Sequence, residues 1–536
     1  MNSQPWFATD IAGAAKHVDD RRMGITFVIC APTYHATNLC YVAAAWSILW
    51  MLLRIPGPLL PAATSLWIRW QRWQGKLSFT ADDLLNLWSN YSYLSQHGSC
   101  QAGLLPAATS LWIRWQRWQG KLSFTADDLL SIYGPIIRIS PNMVLVNDPA
   151  ALTAAFAKQN LDTAPKAIRA LRIGGHDWTV TYPQMDIARP RRRPVMMATT
   201  TRHLKYWLPL FETYVGEMVS NITRANGEES VDIVHQLRMT TLYISQIILG
   251  GASVRLKGDE FPEVVGEYNF LVVWRLVFPE WMINWLRYGP SAKARYRIKS
   301  SELLYKLGED LYKQAEATSG PMDEEEAPSV YQCSLKMAGQ LLAATETTSS
   351  TIAFIMYELA KNPGLVEHLY SELQTVTGNN ELDTLKLLDA TIKEGLRFRP
   401  PVALTGSRVV PKGGLDVMGY FVPEGTVLTT QALSICRQRP DLFPNADAFD
   451  PSRWLESENL DERRKLLVPF GVGTRRCPGG NLAVYQMRLI IGALIRKFKI
   501  AVAPETTPKS MRPFEANGFR SRYDRCHLIF TPREKV

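Results

Sequence analysis

Residues 469–480, PFGVGTRRCPGG, constrain the fold more than any other stretch of the chain. They place Cys477 between arginines and a Pro-Gly-Gly turn, and an apolar spacing typical of a helix follows. Cys477 is therefore predicted to lie just before a helix amino terminus, where the helix dipole and nearby positive charge favour a thiolate. Gly471, Gly473 and Gly479 would let the backbone approach a flat ligand and turn amide groups toward the sulfur.

The helix that follows is predicted to have Asn481 as its N-cap residue. Its predicted apolar face is formed by Leu482, Tyr485, Leu489, Leu494 and Phe498. An isolated cysteine is more often an inert structural residue than a reactive one. Here the complete pattern F-G-x-G-x-R-x-C-x-G is present, and this favours a ligand role for the sulfur.

The composition excludes several other roles for this cysteine. The 536 residues are 46% hydrophobic and 21% charged, which is enough to bury a large core. The seven cysteines are scattered without a C-x-x-C pair, which argues against a disulfide framework and a structural zinc site. The net charge of +10 is spread along the chain without a basic tail. No nucleic-acid partner is therefore expected, and an acidic protein or anionic membrane lipid fits better.

Residues 36–53, ATNLCYVAAAWSILWMLL, contain no charge and are predicted to be a transmembrane anchor. The alternatives are a buried core helix and a cleaved signal peptide, but no small-residue cleavage site follows the stretch. Basic residues follow from Arg54 onward, so the positive-inside rule predicts a single-pass protein with residues 54–536 in the cytosol. Residues 1–35 have no assigned role.

A segment of 27 residues, LLPAATSLWIRWQRWQGKLSFTADDLL, occurs at 59–85 and again without a change at 104–130. Structural repeats diverge outside their packing positions and need several copies to bury a continuous core. Two identical copies meet neither condition, so a recent tandem duplication or a gene-model error is the better interpretation. Residues 86–103 separate the two copies. Deleting either copy together with this spacer, 45 residues in all, leaves the same chain of 491 residues.

The pattern beyond residue 150 is mostly helical. Residues 204–222 and 231–249 show the 3.6-residue apolar period of helices. Strand signals occur in a predicted hairpin at 131–149 and again at 407–430, where Gly and Pro turns separate apolar residues. The predicted class is one large, mainly α domain with a small β portion, behind the anchor.

The cysteine pattern resembles the haem-binding signature of the haem-thiolate monooxygenases, the cytochrome P450 family. The resemblance implies the P450 fold and a haem b cofactor, with Cys477 as the axial thiolate ligand of its iron, pushing electron density toward O–O cleavage. It also implies that Arg475 meets a haem propionate and that Phe470 packs beside the sulfur. Gly471 and Gly479 would then shape the turn under the haem.

A second motif, KEGLRFRPP, places Glu394 and Arg397 at i,i+3 on one predicted helix face. Such pairs are usually surface salt bridges of little energetic value. The family has an E-x-x-R helix joined by an arginine from a later loop, which FDPSRWL supplies as Arg453. The resemblance implies that these three residues are a structural lock on the thiolate side of the haem. It also implies that Arg408 is a second propionate contact and that residues 402–405 line the substrate pocket.

A third motif, LLAATETTSS, makes Glu346 the only charge between Lys336 and Glu358. A carboxylate is costly in such an apolar helix unless it has a task. The motif resembles the family's oxygen-activating helix, A-G-x-[DE]-T-[TS], with Ala344 where glycine is usual. The resemblance implies that Glu346 and Thr347 are catalytic and relay protons to O2. The alternative is that the threonines only bond back to the preceding turn.

One family feature is weak in this chain. The helix that offers a propionate-binding arginine corresponds to MDIARPRRRPVMM, but no Trp or His stands four residues before any of 191–193. Pro190 and Pro194 also fit poorly in a helix. The haem contact of this segment is left open.

Together these motifs predict a monooxygenase anchored in the endoplasmic reticulum membrane, with its catalytic domain facing the cytosol. It would insert one atom of O2 into a small apolar substrate, with electrons from NADPH–cytochrome P450 reductase. The residues expected to dock the acidic reductase are Arg463, Arg464, Lys465, Arg475 and Arg476.

The sequence resembles fungal members of secondary metabolism, which implies a terpenoid, alkaloid or polyketide scaffold. Two alternatives stay open. One is a haem-thiolate isomerase or dehydratase that needs no O2, and the other is a non-functional product of the duplicated segment.

Overall fold

The computed structural model describes residues 104–159, 161–252, 254, 260–318 and 337–534. The predicted anchor at 36–53, the segment 1–35 and the first repeat copy at 59–85 lie outside these residues. Among the described helices, none is both long and apolar enough to cross a bilayer. The predicted domain boundaries therefore stay predictions.

Helices make up most of the described chain, as the sequence pattern predicts. The helices are α1 (Leu104–Trp118), α2 (Leu122–Tyr133), α3 (Pro149–Leu152), α4 (Pro165–Arg169), α5 (Met185–Ala198), α6 (Thr201–Tyr206), α7 (Leu208–Thr223), α8 (Ile233–Gly250), α9 (Phe261–Val277), α10 (Glu280–Leu286), α11 (Ala292–Thr318), α12 (Ala338–Ala360), α13 (Pro363–Leu373), α14 (Lys386–Phe398), α15 (Ala432–Arg437), α16 (Leu460–Leu466) and α17 (Gly480–Lys497). A π-helical turn, Thr153–Lys158, extends α3.

The β portion is small and split into separate pieces. The strands are β1 (Ile136–Ser140), β2 (Met143–Val146), β3 (Val231–Asp232), β4 (Leu404–Val409), β5 (Leu415–Val417), β6 (Tyr420–Val422), β7 (Val427–Gln431), β8 (Phe498–Val502), β9 (Pro513–Ala516), β10 (Gly518–Ser521) and β11 (His527–Pro532). One sheet has the order β1-β2-β7-β4 and another β3-β11-β8, while β5–β6 and β9–β10 are hairpins. Strands β2 and β7 pair in parallel, and the other pairs are antiparallel.

Helix α12 forms the centre of the core and packs against α8, α11, α14 and α17. Most of its side chains are buried, including Leu341, Ile352 and Ile355. The helix contains no proline, and the hydroxyl of Thr351 donates to the carbonyl of Thr347 at 2.9 Å. Such back-bonding satisfies hydroxyl groups inside a helix, so a threonine-rich segment can stay helical and buried.

The mainly helical class with a small β portion is confirmed. The predicted hairpin at 131–149 forms antiparallel β1 and β2. The segment 204–222 is helical, as its apolar period predicts, but it is divided at Trp207, and Pro209 lies near the amino terminus of α7. Helix α17 begins at Gly480, so Asn481 lies in its first turn and is not the N-cap.

The second repeat copy supplies helices α1 and α2. Ile113 of α1 and Leu122, Ala126 and Leu130 of α2 are buried in a cluster with β1 and β2. Gly120 turns the chain between the two helices with φ +64°, and a Cβ there would lie 2.6 Å from the ring of Phe514. These contacts fill one place in the core, which an identical copy cannot also occupy.

We predict that deleting residues 59–103 leaves haem content and the midpoint of thermal unfolding unchanged or higher, because residues 104–130 already supply α1 and α2. A matched pair of substitutions tests the same point in the full chain. Leu130→Ala should lower the stability by about 2–5 kcal/mol, since it empties a buried site. The equivalent change in the first copy, Leu85→Ala, should have no effect on the unfolding midpoint. Equal losses from both substitutions would show that the first copy is also packed.

Candidate functional site

The turn that carries Cys477 closes on itself before α17 begins. The amide of Cys477 donates to the carbonyl of Phe470 at 2.8 Å. The sulfur is accessible, yet the surrounding protein limits its hydration and raises the pKa of the thiol. The Gly479 amide, Arg192 and Arg476 act in the opposite direction by stabilising the thiolate. A cation that binds the sulfur would complete this stabilisation.

Glycines are required where this turn meets the π-helical segment Thr153–Lys158. Gly473 has φ +73°, and a Cβ there would lie 2.3 Å from the carbonyl oxygen of Phe156. Gly471 has φ +71°, a conformation that side chains rarely adopt. Phe470 packs against the start of α17, since a Cβ on Gly480 would lie 3.4 Å from its ring.

Three arginines, which we call the arginine trio, converge beside this turn: Arg192 of α5, Arg408 of β4 and Arg475 of the turn itself. Arg192 donates to the Arg476 carbonyl, and Arg475 donates to the carbonyls of Tyr182 and Pro183. Burial and the charges of the other two lower the pKa of Arg408 to about 10. Burial and Arg192 likewise lower the pKa of Arg475, although the charge of Asp162 acts in the opposite direction.

The arginine trio lacks a carboxylate partner within the part of the chain that the structure describes. None of its members forms an ion pair there, and the Nε of Arg475 is buried without a hydrogen-bond partner. Buried guanidinium groups without anions are costly. The trio therefore fits a ligand with carboxylate groups, and the two propionates of a haem bound at Cys477 would meet that requirement.

Arg192 is the residue that the sequence analysis left open. It lies on the buried face of α5 with Met185, Ala188 and Val195, so the helical spacing of these apolar residues was the available signal. The prediction that the prolines disfavour a helix is wrong, because α5 runs through Pro190 and Pro194. Pro190 is exposed. It has no amide donor for the carbonyl four residues earlier in α5, and water can bond that carbonyl instead.

The second motif forms a buried ion cluster on α14. Glu394 is 0% exposed and accepts hydrogen bonds from Arg397 Nε at 2.8 Å and Nη2 at 2.7 Å. Arg453 Nε also donates to it, at 3.1 Å, as does the indole of Trp454 at 2.9 Å. The structure thus brings together the three residues predicted as a structural lock.

The third motif places an open face in the middle of α12. Ala343 is exposed and Ala344 and Thr347 are half-exposed, although most of the helix is buried. The hydroxyl of Thr347 donates to the Ala343 carbonyl at 2.8 Å. We call this face, formed by Ala343, Ala344 and Thr347, the α12 groove.

Glu346, which precedes Thr347, does not project freely. Its carboxylate accepts hydrogen bonds from Arg238 of α8 at 2.7 and 2.9 Å and from Arg520 of β10 at 3.1 Å. Both arginines also bind Asp524. Sequence reasoning missed Arg238, Arg520 and Asp524, which no local motif connects to Glu346.

Two of the predicted docking residues are misplaced for that role. Arg463 is buried and donates to the carbonyls of Leu442 and Arg453. Arg475 belongs to the arginine trio and points inward. Arg464, Lys465 and Arg476 are exposed, and the structure adds Arg189, Arg191 and Arg193 on the outer face of α5.

The residues predicted to line the substrate pocket, 402–405, lead into β4. Ala403 is buried and its carbonyl accepts from the amide of Ala432. Leu404 packs against the cluster of α2, β1 and β2. Val402 is half-exposed.

Comparison with known proteins gives consistent results. Residues 109–522 match the sequence model of the family Cytochrome P450. The cytochrome P450 monooxygenase FUM2 of Gibberella moniliformis is 27% identical over 70% of this chain and 85% of its own length. Averantin hydroxylase of Dothistroma septosporum is 25% identical over 70% of this chain and 75% of its own. A solved structure, retinoic acid-bound cyanobacterial CYP120A1, is similar in fold with a TM-score of 0.63 and 22% identity, over 76% of this chain and 93% of that one.

We predict that Cys477→Ser abolishes the thiolate absorbance band in the reduced carbon monoxide difference spectrum and most haem retention. A neutral hydroxyl is a poor ligand for the iron that a thiolate binds. Cys436→Ser is the control, because that thiol is buried elsewhere and donates to the Leu466 carbonyl. A Cys477→Ser protein with a normal spectrum would exclude Cys477 as the ligand.

We predict that Arg192→Leu weakens haem binding, whereas Arg193→Leu, a neighbouring exposed arginine, does not. Losing a hydrogen bond to a charged group costs about 1.5–3 kcal/mol. The haem affinity should therefore fall roughly tenfold to hundredfold. Titration of haem-free protein with haem measures the affinity of both variants, and equal values would remove Arg192 from the haem site.

Proposed function

Because the chain belongs to the cytochrome P450 family and is an oxygenase, we propose that it oxidises an apolar organic scaffold in a secondary-metabolite pathway. The observation that carries the proposal is the similarity to fungal oxygenases, the cytochrome P450 monooxygenase FUM2 and averantin hydroxylase among them. A terpenoid, alkaloid or polyketide is the proposed substrate class. Haem b is the proposed form of the haem iron cofactor.

The overall reaction joins one oxygen atom to the substrate: RH + O2 + two electrons + two protons gives ROH and water. Bound haem supplies the iron centre at which O2 is reduced. Cys477 would hold the iron from one side, and the arginine trio would hold the propionates. Phe470 packs against Gly480 at the start of α17, which helps to keep the turn in place.

The residues of α12 would act on the other side of the haem. The bond from Thr347 to the Ala343 carbonyl occupies a helix acceptor and leaves the hydroxyl oxygen free to accept a proton donor. A water held at this oxygen would receive a proton from Glu346 and pass it on. Proton delivery of this kind separates productive oxidation from loss of hydrogen peroxide. An isomerase or dehydratase would need neither residue.

The electron donor is proposed to be NADPH–cytochrome P450 reductase. The exposed cations of α5, α16 and the Cys477 turn support an acidic partner, because charges on the interface rim accelerate encounter. They are Arg189, Arg191, Arg193, Arg464, Lys465 and Arg476. We further propose that residues 36–53 anchor the protein in the endoplasmic reticulum membrane, so that these cations meet the membrane-bound reductase in the cytosol.

We predict that the purified protein, with reductase and NADPH, converts a member of a panel of terpenoids, alkaloids and polyketides under ¹⁸O2 to a product with one ¹⁸O atom. Mass spectrometry of the product measures the label. A product formed without label, or formed equally well under nitrogen, would contradict a monooxygenase and favour an isomerase or dehydratase.

The same reaction tests the role of Thr347. Thr347→Ala should keep haem content and substrate binding but lower labelled product, while the peroxide released per NADPH rises. Thr351→Ala is the control, because Thr351 makes the same back-bond one turn later on a buried face. Unchanged coupling in Thr347→Ala would leave Thr347 as a helix residue only.

A further inference from the structure

Four charged side chains form a buried group that we call the distal cluster: Arg238, Glu346, Arg520 and Asp524. Arg238 donates to Glu346 at 2.7 and 2.9 Å and to both oxygens of Asp524 at 2.7 Å. Arg520 Nη2 donates to Glu346 at 3.1 Å and to Asp524 at 2.8 Å. The two carboxylates therefore share the same two guanidinium groups.

Asp524 is the most exposed member of the distal cluster, and the two arginines are the least exposed. The side chains of Arg238 and Arg520 are 5% and 4% exposed, Glu346 is 13% exposed, and Asp524 is 29% exposed. A polar cleft of about 440 Å³ reaches Arg238 and Asp524 from the surface. The other charged or titratable groups of that cleft are Asp232, His235, Glu263, Arg525 and His527.

Glu346 lies on the inner side of the same cluster. It does not line the cleft, and it directly precedes Thr347 of the α12 groove. Water in the cleft therefore reaches the outer members of the cluster, while Glu346 is next to the position proposed for oxygen chemistry. Arg238 both lines the cleft and donates to Glu346, so Glu346 lies directly behind the cleft wall.

Sharing the arginines determines what Glu346 can do. If Glu346 left the cluster or took up a proton, Asp524 would remain bonded to both arginines as their counter-ion. Burial alone raises the pKa of Asp524, but Arg520 and Arg238 outweigh it and hold that pKa below its ordinary value. Asp524 therefore stays ionised. Without it, departure of Glu346 would leave two buried guanidinium groups unpaired, which is strongly unfavourable.

We propose that Asp524 is a positioning residue that frees Glu346 to carry protons from the cleft to the α12 groove. The proposal rests on the proposed monooxygenase function. In each transfer a hydronium ion that enters from the cleft gives a proton to a carboxylate oxygen of Glu346 and is left as water, and the proton then passes to a water or oxygen acceptor in the groove. The carboxylate is restored and no electrons move in this step.

The first test replaces Asp524 with asparagine, which keeps the size and removes the charge. Glu346 then becomes the only carboxylate on two arginines and is held more tightly. In substrate-free protein with reductase and NADPH, the peroxide released per O2 consumed should rise by roughly twofold or more, with a larger solvent deuterium isotope effect. Haem content and the carbon monoxide spectrum should not change.

Two further variants separate positioning from a general structural effect. Glu263→Gln removes an exposed acid from the same cleft that has no bond to either arginine, and it should behave as wild type. Asp524→Glu keeps the charge and should restore at least part of the wild-type peroxide ratio. A loss of haem or stability in Asp524→Asn with an unchanged peroxide ratio would overturn the proposal.

The second test does not depend on activity and so separates this proposal from the proposed function. The midpoint of thermal unfolding of the haem-loaded protein is measured for Glu346→Gln, Asp524→Asn and the double variant. If each carboxylate replaces the other as counter-ion, the double variant should lose more than the sum of the single losses. Additive losses would show that the two do not substitute for each other, and they would overturn the proposal even in an active enzyme.

Discussion

The carboxylate of Glu394 holds the thiolate side of the protein together. It is fully buried and joins α14 to the segment that carries Arg453 and Trp454. The carbonyl of Arg453 in turn accepts from Arg463 of α16, which precedes the Cys477 turn along the chain. Breaking one partner of such a buried cluster costs about 3–5 kcal/mol, because the remaining charges stay buried without compensation. The geometry of the turn therefore depends on one satisfied acid.

The arginine trio and the distal cluster differ in net charge, and this difference indicates different roles. In the arginine trio, three cations meet and none forms an ion pair with an acid among the described residues, so an anionic ligand would complete the site. The distal cluster contains two cations and two anions, so its charges balance within the protein. A balanced group that shares its bonds can release one member, whereas the trio can only bind. Under the proposed function, the arginine trio would hold the haem propionates, and the distal cluster would take part in proton transfer.

The sequence predicted contacts between residues that are close along the chain better than contacts between distant residues. Glu394 and Arg397 lie three residues apart on one helix, so their spacing alone indicates that they meet. Arg453 is 59 residues from Glu394, and only the family resemblance connected them. Arg238 is 108 residues from Glu346, and neither spacing nor motif joins them. The break at Trp207 was missed because the apolar period continues across it, although Pro209 was a visible signal.

The partners of Glu346 also change the argument for its function. The sequence argument held that a carboxylate in an apolar helix needs a task, since its burial is costly. Arg238 and Arg520 offset that cost by themselves, so burial in α12 does not distinguish a catalytic acid from a structural one. The distinguishing feature is its place between a polar cleft that opens to the surface and the α12 groove. Two buried arginines need two acids in a purely structural cluster as well, so the variants of Asp524, and not its presence, separate the two interpretations.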